Sequence, residues 1–186
     1  MFYSRSELEK IGFKSLGKNV LISDKTSIYG AENIEIGSNV RIDDFCVISA
    51  GGKITIKNNV HIAIYCSIIG KGEVTLNEFS GLSSRVSIYS STDDYSGNFL
   101  TNPTVDPNFT NVINGPVVLG KHVIIGAGSI ILPNVIINDY SAIASLSLVN
   151  KDIDSCFIYG GIPAKKLKER NNNMINLECE YLKTLK

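Results

Sequence analysis

Few side chains in this sequence can move a proton near neutral pH. There are two histidines, His61 in NNVHIAIYCS and His122 in LGKHVIIGAGS, and an acidic pair, Asp93 and Asp94, in SSTDDYSG. An imidazole serves as a general base; a carboxylate does so too, or orients an imidazole that does. Each group also has a plainer reading. Asp93 and Asp94 fit a solvated turn or an Asx cap, and His61 fits an outer wall. His122 fits a tight corner, because histidine is enriched at positive φ. Cys46, Cys66, Cys156 and Cys179 show no CxxC and no zinc spacing, so no metal site is expected.

The rest of the chain must position these groups. Its 186 residues suit one domain with a sizeable core. Eighteen Lys and Arg balance eighteen Asp and Glu, mixed along the sequence, which argues against nucleic acid or an anionic membrane held by bulk charge. No apolar run is long enough to span a bilayer, and MFYSRSELEK lacks the apolar core of a signal peptide. A cytoplasmic protein with reduced cysteines is the expectation.

An internal repeat sets the architecture. Stepping by six gives Leu16, Ile22, Ile28; Ile36, Ile42, Ile48; Ile56, Ile62, Ile68; and Leu76, Leu82, Ile88. After a break come Leu119, Ile125, Ile131, Ile137, Ile143 and Val149. A second column four residues later is small or β-branched almost throughout, from Val20 and Thr26 to Ser147 and Ile153. Three such hexads make one coil of a parallel β-solenoid with three short strands per coil, stabilised by stacking on its neighbours. Coils from 16 to 76 are spaced by twenty residues and those after 119 by eighteen. The fourth hexad position carries Asn19, Asn39, Asn59, Asn134 and Gly128, which suit corners with positive φ. Cys46 and Cys66 fall in one interior column and read as small core hydrophobes.

The boundaries follow. Residues 1–15 form an N-terminal cap, where Ser6 could N-cap a short helix over ELEKIG. Residues 16–158 form the solenoid, with an extruded loop at about 89–116. Residues 159–186 form a turn and a short helix, with Met174, Leu177, Tyr181 and Leu182/Leu185 as an apolar stripe for packing or subunit contact.

VVLGKHVIIGAGSIILPNVII, SAIASLSLVNKDI and YGGIPAKKLKER resemble the left-handed β-helix, hexapeptide-repeat acyltransferases. Galactoside and maltose O-acetyltransferases and the sugar acetyltransferases of bacterial surface-polysaccharide loci are the nearest in look. The handedness is an implication of the resemblance, since parallel crossovers are normally right-handed. The resemblance implies a homotrimer with acetyl-CoA as co-substrate between subunits, and a saccharide or nucleotide-sugar acceptor. An acetyl group would pass to a sugar hydroxyl or amine, in O-antigen, capsule or exopolysaccharide biosynthesis. It implies CoA contacts at Ala127, Ser145, Asn150, Lys151, Lys165 and Lys168, and acceptor contacts at Tyr65, Tyr95 and Ile124. The family's catalytic histidine has no counterpart in the loop; Asp93 stands near its position. His61, Asp93, Asp94 and His122 are therefore the candidate catalytic residues, and an acceptor amine that attacks unprotonated would need no protein base. Two other readings are a non-catalytic solenoid scaffold and a γ-carbonic-anhydrase-like metalloenzyme. The latter needs three imidazoles per metal, which two histidines serve poorly.

Overall fold

A computed structural model describes residues 1–184. The chain winds into a parallel β-solenoid with three faces. The first stacks Ser15–Leu16, Ile34–Ile36, Ile54–Ile56, Val74–Leu76, Val117–Leu119 and Val135–Ile137. The second stacks Leu21–Ile22, Arg41–Ile42, His61–Ile62, Gly81–Leu82, Ile124–Ile125, Ala142–Ile143 and Phe157–Gly160. The third stacks Ser27–Tyr29, Val47–Ala50, Ser67–Gly70, Ser87–Tyr89, Ile130–Ile131 and Leu148–Val149. Ile36 pairs with Ile56, Leu76 with Leu119 and Leu119 with Ile137, so the register resumes without slippage across the insertion.

The repeated aliphatic column fills the interior. Every member is buried except Leu16 and Ile28, which lie in the first coil and have a neighbour on one side only. The small column is buried as well, and the Cys46 and Cys66 thiols donate to Ala63 O and Ser83 O at 3.1 and 3.0 Å. Each buried Ile or Leu contributes about 1.5–3 kcal/mol, but only because the next coil covers it.

Helix α1 (Arg5–Ile11) closes the open end with Leu8, which is fully buried. Its N-cap is Ser4, not Ser6: Ser4 and Glu7 form a reciprocal capping box. Starting two residues earlier leaves Glu9 free to pair with Arg5 and brings Leu8 into the interior.

The corners fall at the fourth hexad position as expected, but not only on residues that favour it. Positive φ occurs at Asn19, Asn39, Asn59 and Asn134 as expected, but also at Phe45, Tyr65, Phe79, Arg85, Tyr140 and Leu146. Bulky residues are strained in this region. The stack of coils imposes it: corner N–H groups bond the coil before them, as Tyr65 N does to Asp44 O at 3.1 Å and Arg85 N to Ile64 O at 3.1 Å. The rings then recover energy by stacking along the edge of the prism.

At the other end the chain departs from the expected turn. Lys165–Glu169 is a strand, antiparallel to Phe157–Gly160, that adds an outer edge to the second face. Helix α2 (Met174–Lys183) then crosses back over the corner between the first and second faces. Its docked side centres on Glu178, which is buried, whereas Leu177 and Leu182 remain exposed. Of the apolar stripe, Tyr181 packs edge-on against Phe79 with ring centroids 6.1 Å apart, and the buried carboxylate docks beside it because Lys121 and His122 present it with donors. Leu185 lies outside the described residues.

Candidate active site

The second face turns its outward column to solvent in the order Arg41, His61, Gly81, Ile124, Ala142. Gly81 interrupts it. A methyl group built there would meet only His61 O, at 3.8 Å, and its φ is not in the left-handed region. The glycine thus serves shape, not backbone conformation, and it opens a groove of about 290 Å³. His61, Ala63, Gly81, Leu82, Ser83, Ser84 and Ile124 line it. Apolar walls with a few convergent polar groups are what a small-molecule site requires.

His61 does not stand alone. Its Nε2 lies 2.8 Å from Asp43 Oδ2, and Asp43 Oδ1 accepts from Arg41 Nε at 2.7 Å. Burial pushes the Asp43 carboxyl up, but the bonds from His61 and Arg41 outweigh it and hold it below the usual carboxylate range.

Ser84 joins this groove to the residues expected along the CoA arm. Gly128 N donates to Ser84 O at 3.0 Å, and Leu146 N to Ala127 O at 2.9 Å. Ser84, Ala127 and Ser145 therefore occupy one column on the edge between the second and third faces. Their glycine neighbours answer to the coils: a Cβ on Gly126 would collide with Ser145 N, and Gly128 turns the corner at φ 73°. The two glycines of GAGS are thus required by stacking, whatever ligand approaches.

Tyr65 sits on the same edge, outside the groove lining. It stacks on Phe45 with ring centroids 5.2 Å apart, and Lys25 and Arg85 cap the pair at either end. Ile124 lies in the groove, nearly half exposed.

His122 takes the corner conformation, φ 56°. Its ring is sandwiched between Phe79, at 4.8 Å, and Tyr140, at 5.8 Å. Its Nε2 lies 2.9 Å from Glu178 Oε2, and only 12 % of the side chain is exposed. Both ring faces and one nitrogen are occupied, and the residue is not among those lining the groove.

The insertion leaves from the third face. Ser91–Thr92 pairs with Ile113–Asn114 as a short antiparallel neck, and the segment beyond it projects outward, with Tyr95 92 % exposed. Asp94 accepts from Ser96 Oγ at 2.8 and 2.9 Å and from Gly97 N at 3.1 Å, an Asx-type turn. No hydrogen bond among the described residues joins Asp93 or Asp94 to His61. Within one chain the loop acids and the groove are separate.

The remaining CoA-side candidates are dispersed. Asn150 and Lys151 follow the last strand of the third face and are exposed. Lys165 and Lys168 lie on the antiparallel edge strand, also exposed. Among the described residues no carboxylate approaches Lys151, Lys165 or Lys168, whereas Lys166 is taken by Asp154 at 2.6 Å. Unpaired ammonium groups are the chemistry a phosphate needs.

Two residues escape a reading by histidines and loop acids, Ser84 in the groove lining and Asp43 bonded to His61 beside it. Asp43 is eighteen residues before His61, a spacing that a twenty-residue coil turns into adjacent outward positions. Ser84 is two residues after a core leucine, in register with Ala127, and the hexad columns would have located it.

No family model matches the chain. It is 55 % identical, over 94 % of its length and 92 % of the relative's, to a dTDP-4-amino-4,6-dideoxy-D-glucose acyltransferase of Escherichia coli. Crystal structures of AntD, an N-acyltransferase from Bacillus cereus, superpose with a TM-score of 0.95 at 48 % identity, covering 98 % of both chains. One of these holds dTDP-4-amino-4,6-dideoxyglucose and coenzyme A. The galactoside O-acetyltransferase of Escherichia coli K12 is 30 % identical over 43 % of this chain and 47 % of its own. With the three-faced solenoid, its hexad columns and its single extruded loop, these likenesses show that the chain belongs to the left-handed β-helix, hexapeptide-repeat acyltransferase family.

Proposed function

We propose that this protein transfers an acyl group from acyl-CoA to the amino group of a dTDP-linked 4-amino-4,6-dideoxyhexose. The observation that carries this reading is the 55 % identity across nearly the whole of an acyltransferase for that nucleotide sugar. The groove supports it. AntD has been crystallised as S84A and D94N variants, and this chain carries Ser84 and Asp94. Ser84 lies in the groove and heads the column of Ala127 and Ser145, so a thioester arriving along that edge ends beside His61 and Ser84.

The reaction is direct. The amine nitrogen bonds to the thioester carbonyl carbon, the C–S bond breaks, and CoA leaves as its thiol with the proton given up by the amine. His61 is the groove residue able to relay that proton, and Ser83 and Ser84 offer hydrogen bonds to the carbonyl. Ala127 and Ser145 flank the pantetheine arm, with Asn150, Lys151, Lys165 and Lys168 toward the adenosine phosphates. Tyr65 and Ile124 border the acceptor. His122 belongs to the scaffold.

The loop acids act in this proposal across a homotrimer. Asp93 and Asp94 are half-buried just past the neck, and Tyr95, Phe99, Leu100 and Phe109 are exposed beyond them. Those apolar side chains suit a neighbouring subunit. A role in surface-polysaccharide biosynthesis follows from the acceptor class.

Purified protein is to be assayed with acetyl-CoA and with 3-hydroxybutyryl-CoA, the donor bound in one AntD structure, against dTDP-4-amino-4,6-dideoxyglucose and its 4-hydroxy analogue. Amide product from the amino sugar alone is expected. Turnover of the hydroxy sugar instead would turn the reading toward O-acyl transfer. Light scattering should give three times the 20.2 kDa chain mass; a monomer would remove the role of the loop acids.

A further inference from the structure

Beside the groove, bonded to His61, stands a carboxylate that the chemistry above does not use. Asp43 follows the strand Arg41–Ile42, one coil before His61, and its backbone N–H donates to Ile62 O at 2.9 Å. Both of its oxygens are engaged, by Arg41 Nε at 2.7 Å and His61 Nε2 at 2.8 Å, and its side chain is 20 % exposed. Arg41 is itself steadied: its guanidinium carbon lies 5.1 Å over the Phe2 ring, so the N-terminal cap buttresses the pair.

An exposed ion pair adds little stability, but this one restricts a ring. A carboxylate held below its ordinary range is ionised at neutral pH and only accepts hydrogen bonds. Nε2 therefore carries the hydrogen between the two groups, and the neutral imidazole keeps its lone pair on Nδ1. The adjacent Gly81 leaves the space beside the ring open to a ligand.

We propose that Asp43 is a positioning residue, which fixes His61 as the Nε2–H tautomer so that Nδ1 takes the proton released by the acceptor amine. This rests on the acyl-transfer reading. As the new C–N bond forms and the C–S bond breaks, the amine proton passes to Nδ1. The imidazolium then returns it to the departing CoA thiolate, so the cycle closes without another reactant. The arrangement uses the same division of labour as a catalytic carboxylate–imidazole pair, with the ring nitrogens exchanged.

The test combines nitrogen-15 NMR of the imidazoles with kinetics of Asp43→Ala, Asp43→Asn, His61→Gln and the double variant Asp43→Ala/His61→Gln. With two histidines in the chain, His61→Gln assigns the signals. The wild type should show His61 as Nε2–H, and Asp43→Ala a mixture of tautomers. Turnover should fall at least ~tenfold in Asp43→Ala, with KM for acyl-CoA within about threefold. The double variant should be no slower than His61→Gln alone. Thermal melting checks that each variant folds, and the isosteric Asp43→Asn guards against loss of shape. An unchanged tautomer, full turnover of Asp43→Ala, or effects that multiply in the double variant would overturn the proposal. Wild-type protein that acylates no nucleotide-linked amino sugar overturns the functional reading itself; an active wild type with an equally active Asp43→Ala overturns only the role of Asp43.

Discussion

His122 and Glu178 are 56 residues apart in sequence, yet His122 Nε2 lies 2.9 Å from Glu178 Oε2, and Lys121 Nζ completes the carboxylate at 2.7 Å from Oε1. The contact pins helix α2 to the corner between the first and second faces. It also occupies one ring nitrogen of a histidine that the sequence offers as a candidate catalyst.

Replacing His122 with Ala should therefore cost stability and leave the chemistry intact. The change removes the ring from between Phe79 and Tyr140 and leaves Glu178 with one partner. A loss of about 1–3 kcal/mol by urea unfolding is expected, with kcat/KM within about twofold of wild type. A collapse of turnover in a folded His122→Ala would return the residue to the active site.

The same pairing makes stability depend on acid. Burial raises the Glu178 carboxyl, but the bonds from Lys121 and His122 outweigh it and hold it below its ordinary value of 4.5. Below that value the unfolded chain binds the proton first. The contribution is thus complete above pH 4.5 and drains away as pH falls through the folded value. Unfolding free energy measured downward from neutral pH should fall in this window, and less steeply in Glu178→Gln. Equal slopes for the two proteins would refute the assignment.

Gly81 separates fold from function. Alanine or valine there should fold as well as wild type, or more stably by about 0.5 kcal/mol, because no positive φ forbids a side chain and a strand glycine carries an entropic cost. Gly81→Val nevertheless fills the groove between His61 and Ile124. A loss of at least ~tenfold in kcat/KM for the amino sugar is expected, with Gly81→Ala between the two. An active Gly81→Val would place the acceptor elsewhere.

Lys165 and Lys168 should act on the donor alone. Each ammonium is exposed and without a carboxylate partner among the described residues. Substitution by Ala should raise KM for acyl-CoA roughly threefold to tenfold at low salt, and less at high salt, with kcat retained. An effect on the amino-sugar KM instead would move the two lysines to the acceptor.

The parts of this protein that repeat were legible in its sequence. A solenoid coil buries the same column in every turn, so Ile36, Ile56 and Leu76 announce the interior, and their spacing of twenty gives the register directly. The outward column through His61, Gly81 and Ile124 follows from the same arithmetic. The insertion, too, showed as the place where the period lapses. Corner residues were legible only where composition matched backbone preference: Asn39 and Asn59 advertise positive φ, whereas Tyr65 and Phe79 are driven there by the coils on either side.

What does not repeat was left to the tertiary structure. The antiparallel return of Lys165–Glu169 and the path of helix α2 are set by single contacts at the end of the solenoid, and no period encodes them. Those contacts decided that Glu178, with Tyr181 beside it, docks the helix, and that His122 is held on both ring faces. On the second face, a glycine gap and a carboxylate one coil away made His61 the histidine in a groove. The sequence by itself determined which residues lie inside and which lie in register, because burial and stacking are periodic. Which polar side chains meet was decided only when coils, loop and tail were brought together, because a hydrogen bond depends on one distance and one direction.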